Sequence, residues 1–316
     1  MKDVYPSRHH GPAAALPRLE PCAWQPWSAD APLTRQQYDQ WCRDGFLVLE
    51  GLFSAEEVAL FREELGRLSG DTRLLARPEA ITEANTGALR SLFAPHRHSP
   101  VYDALTRDPR LLRLARFLLD DEVYIHQARV NFKPGLSGKG FYWHSDFETW
   151  HAEDGMPRMR ALSASVSLTD NTPFNGPLML VPGSHRTFIS CPGETPARHY
   201  EQSLKAQQLG TPPAEFVQQL CTQGGIRQAT GKAGSIVLFD CNVLHGSSEN
   251  ISPLPRSNIF FVFNSVRNSL RRPYAAPAPR PEYLAARGAP EALREASPDY
   301  AALVAAASPL PEAVGS

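Results

Sequence analysis

Residues 160–170 read RALSASVSLTD, and residues 126–133 read HQARVNFK. Both alternate with a period of two, the spacing that sends side chains to opposite faces of a β-strand. In the first, Leu162, Ala164, Val166 and Leu168 share one face, and Ala161, Ser163, Ser165 and Ser167 share the other. In the second, Ala128, Val130 and Phe132 oppose Gln127, Arg129, Asn131 and Lys133. Each strand therefore lies between an apolar layer and a polar one. Working outward, further short strands are predicted at 177–181, 235–240 and 257–264, separated by Gly, Pro and Asn turns. Many short strands with inward polar faces predict a barrel that has something polar to hold.

Upstream of Glu122 the period lengthens. Thr34 and Gln37 have capping-box spacing, which predicts a helix from about Arg35 to Arg43. GFLVLEGLF, Gly45 to Phe53, reads as a short apolar strand. Ser54 and Glu57 form a second capping box ahead of Val58, Phe61, Leu65 and Leu68, which fall on one helical face. Asp108 and Pro109 open a third helix with Leu111, Leu112, Leu114 and Leu118 to bury. Residues 1–33, rich in Pro, Ala and Trp, are expected to form an arm over the domain surface. Residues 271–316 are an Ala/Pro-rich tail, packed on or extending from the domain and partly helical around 281–306. With no internal repeat and no clean linker, residues 34–270 read as one mainly-β domain with helices outside the barrel.

The chain has 316 residues, 42% hydrophobic and 21% charged, which is the ordinary globular range. Its 32 Lys and Arg against 33 Asp and Glu leave a net charge of −1, so nothing points to nucleic acid or an anionic membrane. No apolar run approaches the ~18 residues of a membrane span. The N-terminal residues lack the apolar core of a secretory signal, so a cytoplasmic location is expected. The cysteines (Cys22, Cys42, Cys191, Cys221 and Cys241) are odd in number and contain no CxxC pair; they read as reduced bystanders. TGKAGS at 230–235 is no phosphate-binding loop, because Ile226 replaces the first glycine and Ala233 the Ser/Thr.

The chemistry is carried by FYWHSDFETWHAEDGMP, residues 141–157. His144 and Asp146, two apart, can meet one cation, and His245, beyond the strand SIVLFD, is the natural third ligand. Two imidazoles and one carboxylate on one face of an octahedral iron(II) leave positions open for co-substrate and oxygen. Arg256 follows His245 by eleven residues on the next strand and can bind a carboxylate with both arms of its fork. Among the other histidines, His9, His10, His96 and His98 are expected to be solvated. His185, in VPGSH, is a rival ligand but reads as structural. His151 reads as a support behind the ligands.

HSDFETWHAEDGMP, followed by MRALSASVSLTDNTPFNGPLMLVPGSH, resembles the ectoine hydroxylases, in the phytanoyl-CoA dioxygenase-like branch of the 2-oxoglutarate oxygenases. The resemblance spans roughly residues 34–270. It implies a double-stranded β-helix (jelly-roll, cupin-like) barrel with flanking helices, and an enzyme using iron(II), 2-oxoglutarate and O2. It implies iron ligands His144, Asp146 and His245. It implies 2-oxoglutarate contacts from Arg256, Ser163, Ser247, Phe141, Asn131 and Lys133. Ectoine contacts are implied from Gln127, Arg129, Trp150, Ala161, Phe239, Asn258 and Phe260, and the assembly implied is a homodimer.

The residue types suit these roles. Ectoine carries a delocalised amidinium, which favours aromatic faces such as Trp150, Phe239 and Phe260. Gln127 offers a donor and an acceptor, and Arg129 can pair with the substrate carboxylate. Arg256, Asn258 and Phe260 alternate on one strand face. Asp146 favours hydroxylation, since related halogenases lack that carboxylate. Two other classes remain in view: the same chemistry on another small substrate such as a free amino acid, and, further off, a zinc hydrolase. A non-catalytic jelly-roll binding protein would leave the triad and Arg256 unexplained.

Overall fold

The computed structural model describes residues 3–82, 87, 89–136, 138–204 and 209–307. Its strands are β1 (Ala15–Pro17), β2 (Phe46–Leu49), β3 (Ala80–Thr82), β4 (Leu89–Phe93), β5 (Val123–Lys133), β6 (Phe141–His144), β7 (Ala161–Ser167), β8 (Leu178–Leu180), β9 (Thr187–Ile189), β10 (Arg227–Ala229), β11 (Ile236–Asp240), β12 (His245–Ser247) and β13 (Arg256–Ser265). Seven form one antiparallel sheet in the order β2-β11-β7-β13-β5-β4-β3, and four form another, β10-β8-β12-β6.

The two alternating stretches, β5 and β7, flank β13. Their apolar faces do what the period requires. Leu162, Ala164, Val166, Ala128 and Val130 join Ile259, Phe261 and Phe263 in a core closed from outside by Val58, Phe61, Leu65, Leu68, Leu111, Leu112 and Leu118. On the inner face Phe46, Val237, Phe239 and Phe260 meet Leu180 and Ala229 of the smaller sheet, so the sheets pack face to face as a jelly roll. Ser163, Ser165 and Ser167 are buried on this inner face. Burial of a hydroxyl demands a partner: Asn258 donates to Ser165 (3.0 Å) and Asn171 to Ser167 (3.0 Å).

Both capping boxes form and open helices Arg35–Asp44 and Ala55–Gly70. Asp108 caps Pro109–Leu119, as its position before proline predicts. Four expectations need correction. The stretch 45–53 is strand only over Phe46–Leu49, because the chain turns at Gly51 with φ of 64°. Helices Thr72–Leu75 and Pro100–Thr106 were not foreseen, although Ser99, which caps Tyr102 N at 3.1 Å, was a readable signal for the second. Among the described residues the tail is helical only at Tyr300–Ala306. Pro281, Pro290 and Pro298 deny the preceding stretch a helical ladder, and its backbone instead bonds to the domain: Ala286 N to His126 O (2.9 Å), Leu293 N to Val123 O (2.9 Å). Finally, the arm does not merely lie on the surface. Tyr5, Ser7 and Arg8 are buried, and β1 pairs with β9. No described helix is long and apolar enough to cross a membrane, and all five cysteines are free.

Candidate metal centre and substrate cavity

β6 ends on His144, and β12 pairs with it so that His245 lies directly opposite. Asp146 is the first residue of a short helix, Asp146–Thr149, that leads into a wide π-helical turn, Trp150–Asp154. His144 and Asp146 therefore converge because a strand breaks into a helix between them, and not through simple strand alternation. One coordinating atom from each of His144, Asp146 and His245 lies within 4.8 Å of the others. Each histidine presents Nδ1 to a carbonyl oxygen, Tyr142 O at 2.7 Å and Val243 O at 2.9 Å. A carbonyl only accepts, so Nδ1 carries the proton and the Nε2 lone pair is left free. Those Nε2 atoms lie 3.7 and 3.9 Å from Asp146 Oδ1. Burial, reinforced by the neighbouring His245, pushes His144 down to about 4, which keeps it a neutral ligand near pH 7. The Phe239 ring, 5.0 Å from that of His245, supports the imidazole from behind.

The triad opens on a cavity of about 450 Å³, whose walls include Gln127, Arg129, Phe141, Thr149, Trp150, Glu153, Ser247 and Arg280. That size suits a small ligand with its co-substrate. Beside it lies a strongly cationic recess. Arg256 pairs with Lys133 across β13 and β5, and both line a recess with Asn131, Phe141, Arg90 and Lys139. Lys133 donates to Ser247 Oγ (3.0 Å) and Ser248 O (2.6 Å). Burial and the charge of Arg256 bring it down to about 7. Burial, with Arg129 beside it, brings Arg256 down to about 10. Nε and Nη1 of Arg256 are buried and without a hydrogen-bond partner among the described residues, as is Ser163 Oγ. Buried donors of this kind demand acceptors; the site is built for an anion with several oxygens, and the donor set of the triad suits iron(II).

The other side chains named from the sequence fall in two groups. Gln127, Arg129, Ser163 and Phe260 line a small recess with Asp146. There the Arg129 guanidinium sits 5.9 Å from the Phe141 ring and 5.2 Å from that of Phe260. Gln127 Nε2 donates to Leu284 O (2.7 Å), which aims its amide. Trp150 is a buried wall, edge-on to His126 at 5.2 Å. Asn131 accepts from Ser91 Oγ at 3.0 Å. Ala161, Phe239 and Asn258 stand behind the walls: Ala161 packs with Trp150, Met156 and Met159, Phe239 under His245, and Asn258 against Ser165.

Several wall residues were missed. Arg280 comes from the tail and forms a buried fork with Asp154 (2.7 and 2.6 Å). Thr149 and Glu153 lay within the quoted motif, but only the helical turn shows which of its residues face inward. His199 reaches Glu153 at 3.2 Å from a segment with no local signal. Of the other histidines, His185 is fully buried against Gly45, where a Cβ would meet its ring at 2.5 Å, and does not join the triad. His151 bonds Met156 O (2.7 Å) and Asp3 (2.9 Å) and stacks on Tyr274 at 4.0 Å, which makes it a support. His9, His96 and His98 are half-buried, and burial lowers His98 and takes His96 down to about 4, so the expectation of solvated residues is corrected there and holds for His10.

The phytanoyl-CoA dioxygenase (PhyH) family matches residues 41–258. The ectoine dioxygenase of Sphingopyxis alaskensis is 53% identical over 294 residues, covering 93% of this chain and 96% of that protein. The crystal structure of EctD from S. alaskensis with 2-oxoglutarate and 5-hydroxyectoine superposes with a TM-score of 0.85 at 49% identity, over 93% of this chain and 98% of that one. The same protein with bound Fe gives 0.85 at 48%, with the same coverage. The chain belongs to the phytanoyl-CoA dioxygenase family and, within it, to the ectoine dioxygenases.

Proposed function

We propose that this chain hydroxylates ectoine to 5-hydroxyectoine, consuming O2 and 2-oxoglutarate and releasing succinate and carbon dioxide. The observation that carries this is the juxtaposition of a three-ligand group, its imidazole tautomers fixed by carbonyls, with a cavity beside the recess of Arg256, whose buried Nε and Nη1 have no hydrogen-bond partner among the described residues. His144 Nε2, His245 Nε2 and the Asp146 carboxylate hold iron(II). The metal, when bound, supplies the O2 activation that couples oxidative decarboxylation of 2-oxoglutarate to insertion of one oxygen atom into a C–H bond of the substrate.

The protein's own part is binding, orientation and exclusion of water. Arg256 takes the far carboxylate of 2-oxoglutarate in a charge-assisted fork. Lys133, Ser247 and Asn131 complete that polar end, Phe141 walls it, and Ser163 meets 2-oxoglutarate from the recess it shares with Asp146. Ectoine lies on the other side of the triad. Its amidinium faces Trp150 and Phe260, its carboxylate pairs with Arg129, and Gln127, aimed by Leu284, reads the ring nitrogens. Phe239 fixes the His245 ring, while Ala161 and Asn258 shape the wall from behind. A substrate held this way presents one carbon to the open face of the metal, which is where catalysis by positioning arises.

The test is to incubate the protein with iron(II), 2-oxoglutarate and O2 and a panel that includes ectoine and proline. A gain of one oxygen on ectoine, matched by succinate, is expected. Gain on another compound and none on ectoine would overturn the substrate assignment. A zinc hydrolase would form no succinate. The same reading carries a cytoplasmic homodimer serving osmotic and heat protection, which light scattering and solute measurements in stressed cells would check.

A further inference from the structure

We infer that Arg8, in the N-terminal arm, is a positioning residue that fixes the Asp146–Asp154 segment against the substrate cavity; this rests on the hydroxylase reading above. The segment carries a metal ligand, Asp146, and the wall residues Thr149, Trp150 and Glu153. It contains a π-helical turn, an unusual backbone form that needs outside support.

Arg8 supplies that support from more than 130 positions away in sequence. Its side chain is completely buried. Nε and Nη2 form a fork on Glu148 (2.7 and 2.8 Å), Nη1 reaches Glu153 Oε1 (3.1 Å), and Nη2 also touches Thr149 Oγ1 (3.4 Å). One guanidinium thus grips three positions of the segment, two of which line the cavity. Ser7 adds a fourth tie, donating to Glu148 Oε1 at 2.6 Å while accepting from Cys191 N at 2.9 Å. Gly210 seals the pair: a Cβ there would lie 2.4 Å from Arg8 Nη2 and 2.5 Å from Glu148 Oε2. Arg8 itself has φ of 59°, a conformation that non-glycine residues adopt only when surrounding contacts hold them.

No atom of Arg8 is needed for the oxidation, so its effect must pass through geometry. Without it, the buried Glu148 loses its fork, Glu153 keeps only the contact with His199 (3.2 Å), and the two carboxylates are driven apart. That displacement moves Thr149, Trp150 and Glu153. The Arg256 end, built on β5, β6, β12 and β13, receives no contact from Arg8.

The variants are Arg8→Met, Arg8→Lys, and Arg8→Met combined with Glu148→Gln. In Arg8→Met the KM for ectoine rises roughly ten- to a hundredfold, while the KM for 2-oxoglutarate is unchanged. Amide exchange in metal-free, substrate-free protein quickens across residues 146–154 and not in β13. Arg8→Lys, which keeps the charge and loses the fork, is intermediate. The double variant removes the stranded charge yet keeps the ectoine defect. Should Arg8→Met fail to fold, these two variants, which keep the charges closer to balance, carry the test. An ectoine KM equal to that of the unaltered protein would overturn the inference. So would parallel losses for both substrates with faster exchange throughout the barrel. If the unaltered protein does not act on ectoine, the functional reading fails on its own, and the exchange data still decide whether Arg8 holds the segment.

Discussion

Replacing Arg256 with methionine should weaken 2-oxoglutarate binding and stabilise the protein when that ligand is absent. The side chain is buried at the start of β13, and two of its nitrogens have no partner among the described residues. Donors left this way cost about 1–3 kcal/mol each, and the neighbouring Lys133 adds repulsion. An unbranched apolar side chain of similar length removes both penalties, so the unfolding midpoint without 2-oxoglutarate should rise. With the ligand, the sign reverses. Truncating one partner of a buried, hydrogen-bonded charge pair costs about 2–5 kcal/mol, which corresponds to a roughly 30- to several-thousandfold loss of affinity. Saturation at a hundred times Kd stabilises the unaltered protein by about 2.7 kcal/mol; at the same concentration the variant should show at most about 0.9 kcal/mol. Thermal unfolding with and without 2-oxoglutarate, together with calorimetric titration, reads both effects. A variant that is less stable without ligand and binds 2-oxoglutarate within tenfold of normal would refute the assignment of Arg256 as the anion anchor.

Four further outcomes are expected. Asp146→Asn or His245→Ala should lose iron, measured by metal analysis, and with it the incorporation of label from 18O2 into 5-hydroxyectoine. Lys133, at about 7 in the folded protein against 10.5 when exposed, holds its proton less well than the unfolded chain between those values; the stability of the ligand-free protein should therefore rise with pH across that window. Because bound 2-oxoglutarate favours the charged lysine, its affinity should fall as pH rises above about 7, and Lys133→Met should flatten that slope. Trp150→Phe should raise the ectoine KM by up to roughly tenfold through a weaker cation–π contact and leave 2-oxoglutarate unaffected, as steady-state kinetics will show. Phe261→Ala, at a fully buried position between sheet and helices, should cost about 3–5 kcal/mol in urea unfolding and leave metal binding intact.

What the sequence disclosed was local. Two capping boxes, the alternation of β5 and β7 and the His144–Asp146 pair each occupy a few adjacent residues, and each appears in the structure as an element or a cluster. The failures share the opposite property. Arg280 meets Asp154 across 126 positions and Arg8 meets Glu148 across 140, so neither leaves any period or spacing to read. Arg8 sits in PSRHHGP, which has the composition of a solvated loop. The tail showed the alanines of a helix, but its prolines left backbone groups that only tertiary contacts satisfy. His96 looked solvated for the same reason: its burial is decided by distant packing.

The most direct test is a crystal structure of the protein grown anaerobically with iron(II), 2-oxoglutarate and ectoine. One metal should be bound by Nε2 of His144, Nε2 of His245 and a carboxylate oxygen of Asp146, with the far carboxylate of 2-oxoglutarate on Arg256 and ectoine beside Trp150. A metal bound elsewhere, or these three side chains failing to share it, would contradict the account.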